Sequence, residues 1–177
     1  VKADQVELRP AAEDDLPVIE RLNGDPELAG PFLWGGWSDP GRVRRRWAED
    51  GLLGEDTGTL VVARGDDAVG YTSYRRVVTG RRSSCWSIGI SLLPEARGRG
   101  VGTRAQRLLV AYLFAHTQAN RVQAETEVDN IAEQRALEKA GFTREGVMRG
   151  TGFRDGRFRD EVLYGILRRD VDRTGRW

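Results

Sequence analysis

Hydrophobic and polar positions recur along this chain in two different periods, and the switches between them mark out an ordered run of elements. Gln5 to Arg9 alternates as a short strand. From Ala12 to Leu22, the apolar residues Leu16, Ile19 and Leu22 fall at helical spacing, and Asn23-Gly24-Asp25-Pro26 stops that helix. Gly30 to Trp37 is aromatic but glycine-punctuated, too broken for a regular element. Ser38 or Asp39 before Pro40 reads as a helix start, with the helix running to about Leu52. Thr59 to Arg64, Ala68 to Val78 and Ser84 to Leu92 read as strands, and the turns at Gly65-Asp66-Asp67 and near Gly80 join them into a meander. Val101 to His116 is expected to be a helix burying Leu108, Leu109, Tyr112 and Leu113. A strand over Arg121 to Val128, a helix over Asn130 to Ala140 and a closing pair of strands follow. That pair is Phe142 to Phe153 and Arg157 to Leu167, joined through Asp155-Gly156. No repeat or low-complexity linker divides the sequence, so residues 1–177 are expected to form one α+β domain.

One junction in this order carries chemistry. Leu92-Leu93-Pro94-Glu95-Ala96-Arg97-Gly98-Arg99-Gly100-Val101-Gly102-Thr103 passes from a strand end through a glycine-rich, arginine-bearing loop into a helix. The first backbone N–H groups of a helix have no carbonyl partner within it, and the helix dipole adds positive potential there. Glycines let the main chain approach a ligand closely and turn sharply. The expected ligand carries phosphate. The loop lacks the Gly-Lys-Ser/Thr ending of a P-loop, and its third glycine falls one residue too early for a dinucleotide fingerprint. What remains is Arg97-x-x-Gly100-x-Gly102.

Composition narrows the function classes. A net charge of +1 gives no case for nucleic acid, and the cluster Arg42, Arg44, Arg45 and Arg46 is balanced by Glu49 and Asp50. No apolar run reaches membrane-spanning length, and no basic-then-apolar leader pattern opens the sequence. Cys85 is the single cysteine, which excludes an internal disulfide and fits a reducing, cytoplasmic compartment. His116 is the single histidine and falls at a helix end, where it suits the dipole. With one His, at a helix end, and one Cys, neither a His-ligated metal cluster nor a Ser-His-Asp triad is expected, and no metal is expected.

Three segments carry a family resemblance. They are Arg97-x-x-Gly100-x-Gly102 with Leu93-Pro94-Glu95 before it, Asn130 through Phe142, and Arg154 through Tyr164. Together with the element order, they resemble the GNAT superfamily of acyl-CoA-dependent N-acyltransferases over roughly Val6 to Arg168. Within it they look like the subgroup of bacterial ribosomal-protein N-terminal acetyltransferases. The resemblance implies a mixed, mostly antiparallel sheet of about seven strands, helices on both faces, and a splay between the fourth and fifth strands. It implies acetyl-CoA as acyl donor, with coenzyme A held by Leu92, Leu93, Arg97, Gly98, Arg99, Gly100, Val101, Gly102 and Thr103, and with Asn130 near the pantetheine arm. The acceptor would be a primary amine, either a peptide N-terminus or a small molecule such as an antibiotic or amino sugar. Phe32, Trp34 and Trp37 would form part of its wall. The resemblance leaves a homodimer open. Asn130-x-x-Glu133 also reads as a capping box, with Gly141 at the left-handed cap and Phe142 packing back.

Acyl transfer from a thioester needs a neutral amine, hence a base, and gains from a fixed N–H donor at the developing oxyanion. The splayed strand Trp86 to Ser91 holds no carboxylate. The positions where ribosomal-type relatives carry a proposed acid and base are Glu133 and Gly152 here, so that pair does not transfer. Glu125 and Glu127 alternate onto one face of the bordering strand and are the first candidates for the base. Asp160 and Tyr164 follow as further candidates. With the usual carboxylates missing, a non-catalytic acyl-CoA-binding module or sensor is the alternative class.

Overall fold

A computed structural model describes residues 5–174. Seven strands form one sheet, β1 (Val6–Arg9), β2 (Thr57–Arg64), β3 (Asp67–Gly80), β4 (Ser83–Leu92), β5 (Arg121–Glu127), β6 (Thr143–Arg154) and β7 (Arg157–Leu167). Their order across the sheet is β1-β2-β3-β4-β5-β7-β6. Neighbours are antiparallel except β4 and β5, which run parallel because a helix connects them. The helices are α1 (Leu16–Gly24), α2 (Pro26–Ala29), α3 (Arg42–Asp50), α4 (Val101–His116), α5 (Ile131–Ala140) and α6 (Arg168–Thr174).

Side-chain alternation along the strands divides the core in two. Val61 and Ala63 face Leu16, Ile19 and Leu52, with Val43 and Trp47 of α3 against them. Leu60, Ile88, Val122, Ala124, Val162, Tyr164 and Ile166 face Leu109, Val110, Leu113 and Leu137 of α4 and α5. Helices α1 and α3 therefore lie on one face and α4 and α5 on the other, with α2 beside α1.

Several local expectations are corrected. The Asn23 to Pro26 break does end α1, but Asp25 then caps the short α2 by accepting from the Glu27 and Leu28 amides at 2.9 and 3.3 Å. Helix α3 starts at Arg42 rather than at Pro40, because Asp39 accepts from the Gly41 amide and holds a turn ahead of the helix. In α4 the buried face is rotated from the expected stripe: Val101, Ala105, Gln106, Leu109, Val110, Leu113 and Phe114 are buried, Leu108 is only half-buried and Tyr112 is exposed. Tyr112 instead lies tilted against the His116 ring, with centroids 5.0 Å apart. Helix α6 was not expected from the sequence; Val171 packs it against the core.

Candidate active site

The parallel β4–β5 pair is short. Trp86, Ser87 and Ile88 register with Val122, Gln123 and Ala124, and the pairing stops there. Beyond it β4 stays on β3 through Leu92, while β5 stays on β7 through Glu127. The two strands therefore part into a V, with Gly89–Leu92 on one lip and Glu125–Glu127 on the other. Helix α4 begins past the first lip and α5 past the second.

At the first lip the loop turns through Gly98 and Gly100, whose φ values of 70° and 78° are ones that glycine adopts without strain. Gly100 caps α4 with no side-chain hydrogen bond, and the first intrahelical bond runs from the Arg104 amide to the Gly100 carbonyl at 3.0 Å. The amides of Val101, Gly102 and Thr103 thus precede the helical ladder, as an anion site requires. Arg64, Arg99 and Arg104 line a pocket of about 320 Å3 at this helix start, together with Gly100 and Val101. Arg97 differs from its loop neighbours. Its amide bonds the Pro94 carbonyl, its Nε donates to the Leu92 carbonyl at 2.9 Å, and its guanidinium reaches the Leu28 carbonyl. Its side chain ties the lip to α2 instead of lining the anion pocket, and the Leu93 amide is held by Val69 at 2.9 Å.

The second lip separates the candidate carboxylates. Glu125 accepts from Gln123 Nε2 at 2.9 Å and from Arg75 Nη2 at 3.3 Å. Glu127 is gripped by Arg154, whose Nε and Nη2 donate to its two oxygens at 2.6 and 2.8 Å. That grip holds the Glu127 carboxyl below its ordinary range, which weakens it as a base. Asp160 accepts from the Gly150 amide at 2.8 Å and braces the β6–β7 hairpin. Tyr164 is fully buried under α5, where its hydroxyl donates to Glu138 at 3.0 Å; burial pushes its pKa up.

Asn130 caps α5 by accepting from the Glu133 amide at 3.3 Å and donating to Thr126 at 3.0 Å. The reciprocal half of the expected capping box does not form. The Asn130 amide goes to the Glu127 carbonyl, and the Glu133 carboxyl turns to Gln106 Nε2 of α4. Burial pushes the Glu133 pKa up to about 7, against the lowering effect of that bond. Gln106 is itself buried, and its Oε1 has no hydrogen-bond partner.

The aromatic loop and the hairpin face each other. Trp34 and Trp37 meet edge-on at 5.0 Å, and Arg154 lies over the Phe32 ring at 5.6 Å from its centroid. A pocket of about 350 Å3 lies here, lined by Pro26, Glu27, Gly30, Pro31, Trp34, Arg154 and Asp155. Trp37 is 82% exposed and stands outside that wall. Arg154, Arg75 and Gln106 are site residues that pattern reading missed. Gln106 alone left a signal, a polar residue spaced among the buried positions of α4.

With the parted parallel pair and the glycine-turned helix start in place, comparison with known proteins gives the family. The model for the acetyltransferase (GNAT) domain matches residues 5–143, and the chain belongs to that family. It is 32% identical to the probable N-acetyltransferase YjcK of Bacillus subtilis (strain 168) over 63% of this chain and 61% of that protein. The chain spans only about half to three fifths of the first such relatives, between 45% and 62% of their length. It is 30% identical to the aminoglycoside N(6')-acetyltransferase type 1 of Klebsiella pneumoniae, over 82% of this chain and 77% of that one. Among solved structures, RimL, a ribosomal L7/L12 alpha-N-protein acetyltransferase in complex with coenzyme A, superimposes with a TM-score of 0.77. It shares 19% identity, over 94% of this chain and 96% of the other. Among the described residues no helix is long and apolar enough to cross a membrane, and no group of His, Cys, Asp and Glu is arranged to hold a metal ion.

Proposed function

We propose that this protein is an acetyl-CoA-dependent N-acetyltransferase that transfers the acetyl group directly to a primary amine. The observation that carries this reading is the parting of β4 from β5 after Ile88 and Ala124, with a glycine-turned helix N-terminus at its edge. The donor set suits coenzyme A: the amides of Val101, Gly102 and Thr103 take the pyrophosphate, and Arg64, Arg99 and Arg104 supply positive charge for the remaining phosphate. When bound, acetyl-CoA supplies an activated thioester carbonyl. The exposed edge of β4 from Gly89 to Leu92 binds the pantetheine arm and directs backbone donors at the carbonyl oxygen.

Odd-numbered residues of β5 share the face carrying α1 and α3, so Glu125 opens toward the acceptor while α4 and α5 cover the donor side. Glu125 takes the amine proton, directly or through one water, and Gln123 and Arg75 orient it. The names of relatives support two acceptor types, protein N-termini and aminoglycosides. The test is thiol release from acetyl-CoA with a panel of N-terminal peptides and small amines. Amine-dependent thiol release supports transfer. Tight coenzyme A binding without release from any amine supports a sensor instead.

A further inference from the structure

The pocket between α2, the aromatic loop and the β6–β7 hairpin, on whose wall Trp34 lies, has both a position and a charge. Two arginine bridges place it over the mouth of the V. Arg97 joins the Leu92 lip to Leu28 and lies against Gly30, which lines the pocket. Arg154 joins the Glu127 lip to the hairpin tip and is itself part of the wall. A molecule whose reactive amine lies in the V therefore extends its other end into this pocket.

The charge there favours a cation. Arg154 is the cation of the wall, and it is neutralised twice, by Glu127 behind it and by Asp155 Oδ2 at 2.6 Å. Glu27, also on the wall, is exposed beside the pocket. With Arg97 against Gly30 counted as well, these five groups balance at one negative charge. Trp34 adds an indole held in place by its edge contact with Trp37, and an indole face attracts cations. An anionic or purely apolar acceptor would bring no charge to pair with Glu27.

We propose that this pocket binds a second cationic group of the acceptor, so that the preferred substrates are amines carrying at least one further positive charge several bonds from the reacting nitrogen. Glu27 and Asp155 pair with that second charge, and Trp34 packs against the chain bearing it. This rests on the acetyl-transfer reading for the chemistry but not for the binding. A polyamine or polyamino sugar and a peptide with a basic second residue both offer this group.

The experiment compares kcat/KM for a linear triamine (spermidine), an aminoglycoside (kanamycin), an alanyl-lysine peptide and an alkyl monoamine matched in length to the triamine. Each is measured with the parent protein and with Glu27→Gln/Asp155→Asn. Both substitutions fall on exposed side chains, so the fold is retained. The expected result is a preference of tenfold or more for the multiply charged acceptors. The double variant shrinks that preference by about 5–10-fold, chiefly through KM, as two partly exposed charge contacts allow. Added salt weakens the preference of the parent protein in the same direction. Preference for the triamine and aminoglycoside names a small polycation as the source, and preference for the peptide alone names a basic N-terminus. Equal kcat/KM for monoamine and polycations, or a preference that the double variant leaves intact, overturns the proposal. If no amine is turned over, calorimetric titration with spermidine still decides the matter. Binding that weakens in the double variant upholds the pocket, and absence of binding overturns it, whatever the fate of the transferase reading.

Discussion

Glu133→Gln isolates one side chain whose ionisation the fold opposes. The Asn130 cap goes to the Glu133 backbone amide, so it survives the change, and glutamine still offers Gln106 an acceptor. What disappears is a titration. The Glu133 carboxyl is raised from an ordinary 4.5 to about 7, chiefly by burial. A group with a raised folded pKa binds its proton more tightly folded than unfolded. Its favourable contribution is full below the unfolded value and is lost as pH rises through about 7. Between pH 5 and 8 the ceiling on that loss is about 2–3 kcal/mol, at about 1.4 kcal/mol per pH unit over the range where the two states differ. Water reaching a half-buried carboxyl lowers it to about 2 kcal/mol.

The Glu133→Gln protein should therefore gain on the parent as pH rises. In a domain of this size about 2 kcal/mol corresponds to roughly 4–8 °C in Tm. Thermal or urea denaturation of both proteins from pH 5 to pH 8 reads it, with the gap between them widening toward pH 8. Parallel curves across that range would refute the reasoning, because they would mean that Glu133 ionises freely in the folded state. A second readout separates structure from chemistry. If Glu133 only bridges α4 and α5, kcat at pH 7 stays within about threefold of the parent. A loss of about a hundredfold or more at unchanged stability assigns it a proton transfer, the scale of a positioned acid or base.

Three further outcomes are expected. Gly102→Val should fold normally, since a Cβ there meets Leu92 and Ile90 methyls at 3.7 and 3.9 Å, ordinary contacts, yet coenzyme A affinity by calorimetry should fall at least about tenfold as the side chain crowds the anion site; unchanged affinity sinks the pyrophosphate assignment. Glu125→Gln should lower kcat by about 10²–10⁴ and flatten the rise of rate with pH, whereas Glu127→Gln should act mainly by loosening Arg154, and an unchanged pH–rate profile in the Glu125 variant would remove it as the base. Arg154→Ala should let the Glu127 carboxyl return upward toward its ordinary range, which NMR titration of that carboxyl detects. The sign for stability follows: a lowered carboxyl stabilises above its unfolded pKa and loses that contribution as pH falls through the folded value, so the gap between parent and variant should close under acid.

Much of the fold was legible because period and punctuation are local properties. Val101 to His116 and Arg157 to Leu167 were bounded from sequence as the structure has them, one by a left-handed Gly100 and the other by the two-residue turn Asp155-Gly156, with φ values of 51° and 71°. The errors have equally specific causes. Helix α2 spans four residues, too few to show a period, and it exists because Asp25 caps it while also ending α1. The buried face of α4 was misplaced because Tyr112 counts as apolar in a periodicity argument, while the fold sets it on His116 at the surface. Gln106 stands out as a polar residue among the buried positions of α4, but the pattern could not name its partner, Glu133 of another helix.

The site divides along the same line. The anion loop is contiguous in sequence, and its chemistry resides in backbone geometry that glycines announce. The candidate base is different, because the two carboxylates differ in how their cations hold them: Glu127 takes two bonds from Arg154 at 2.6 and 2.8 Å, Glu125 one from Arg75 at 3.3 Å. Glu125 and Glu127 lie two residues apart on one strand and share a face, so nothing local distinguishes them. Arg154 distinguishes them from 27 positions away, by folding back across the hairpin to grip Glu127 at both oxygens. The same arginine lies over Phe32 and pairs with Asp155, so one side chain touches the aromatic loop, the outer pocket and the Glu127 carboxylate. On the proposed reading, acceptor choice and proton removal meet at Arg154. A substitution there should change both the preference among amines and the pH dependence of the rate, whereas a change at Trp34 should alter the preference alone.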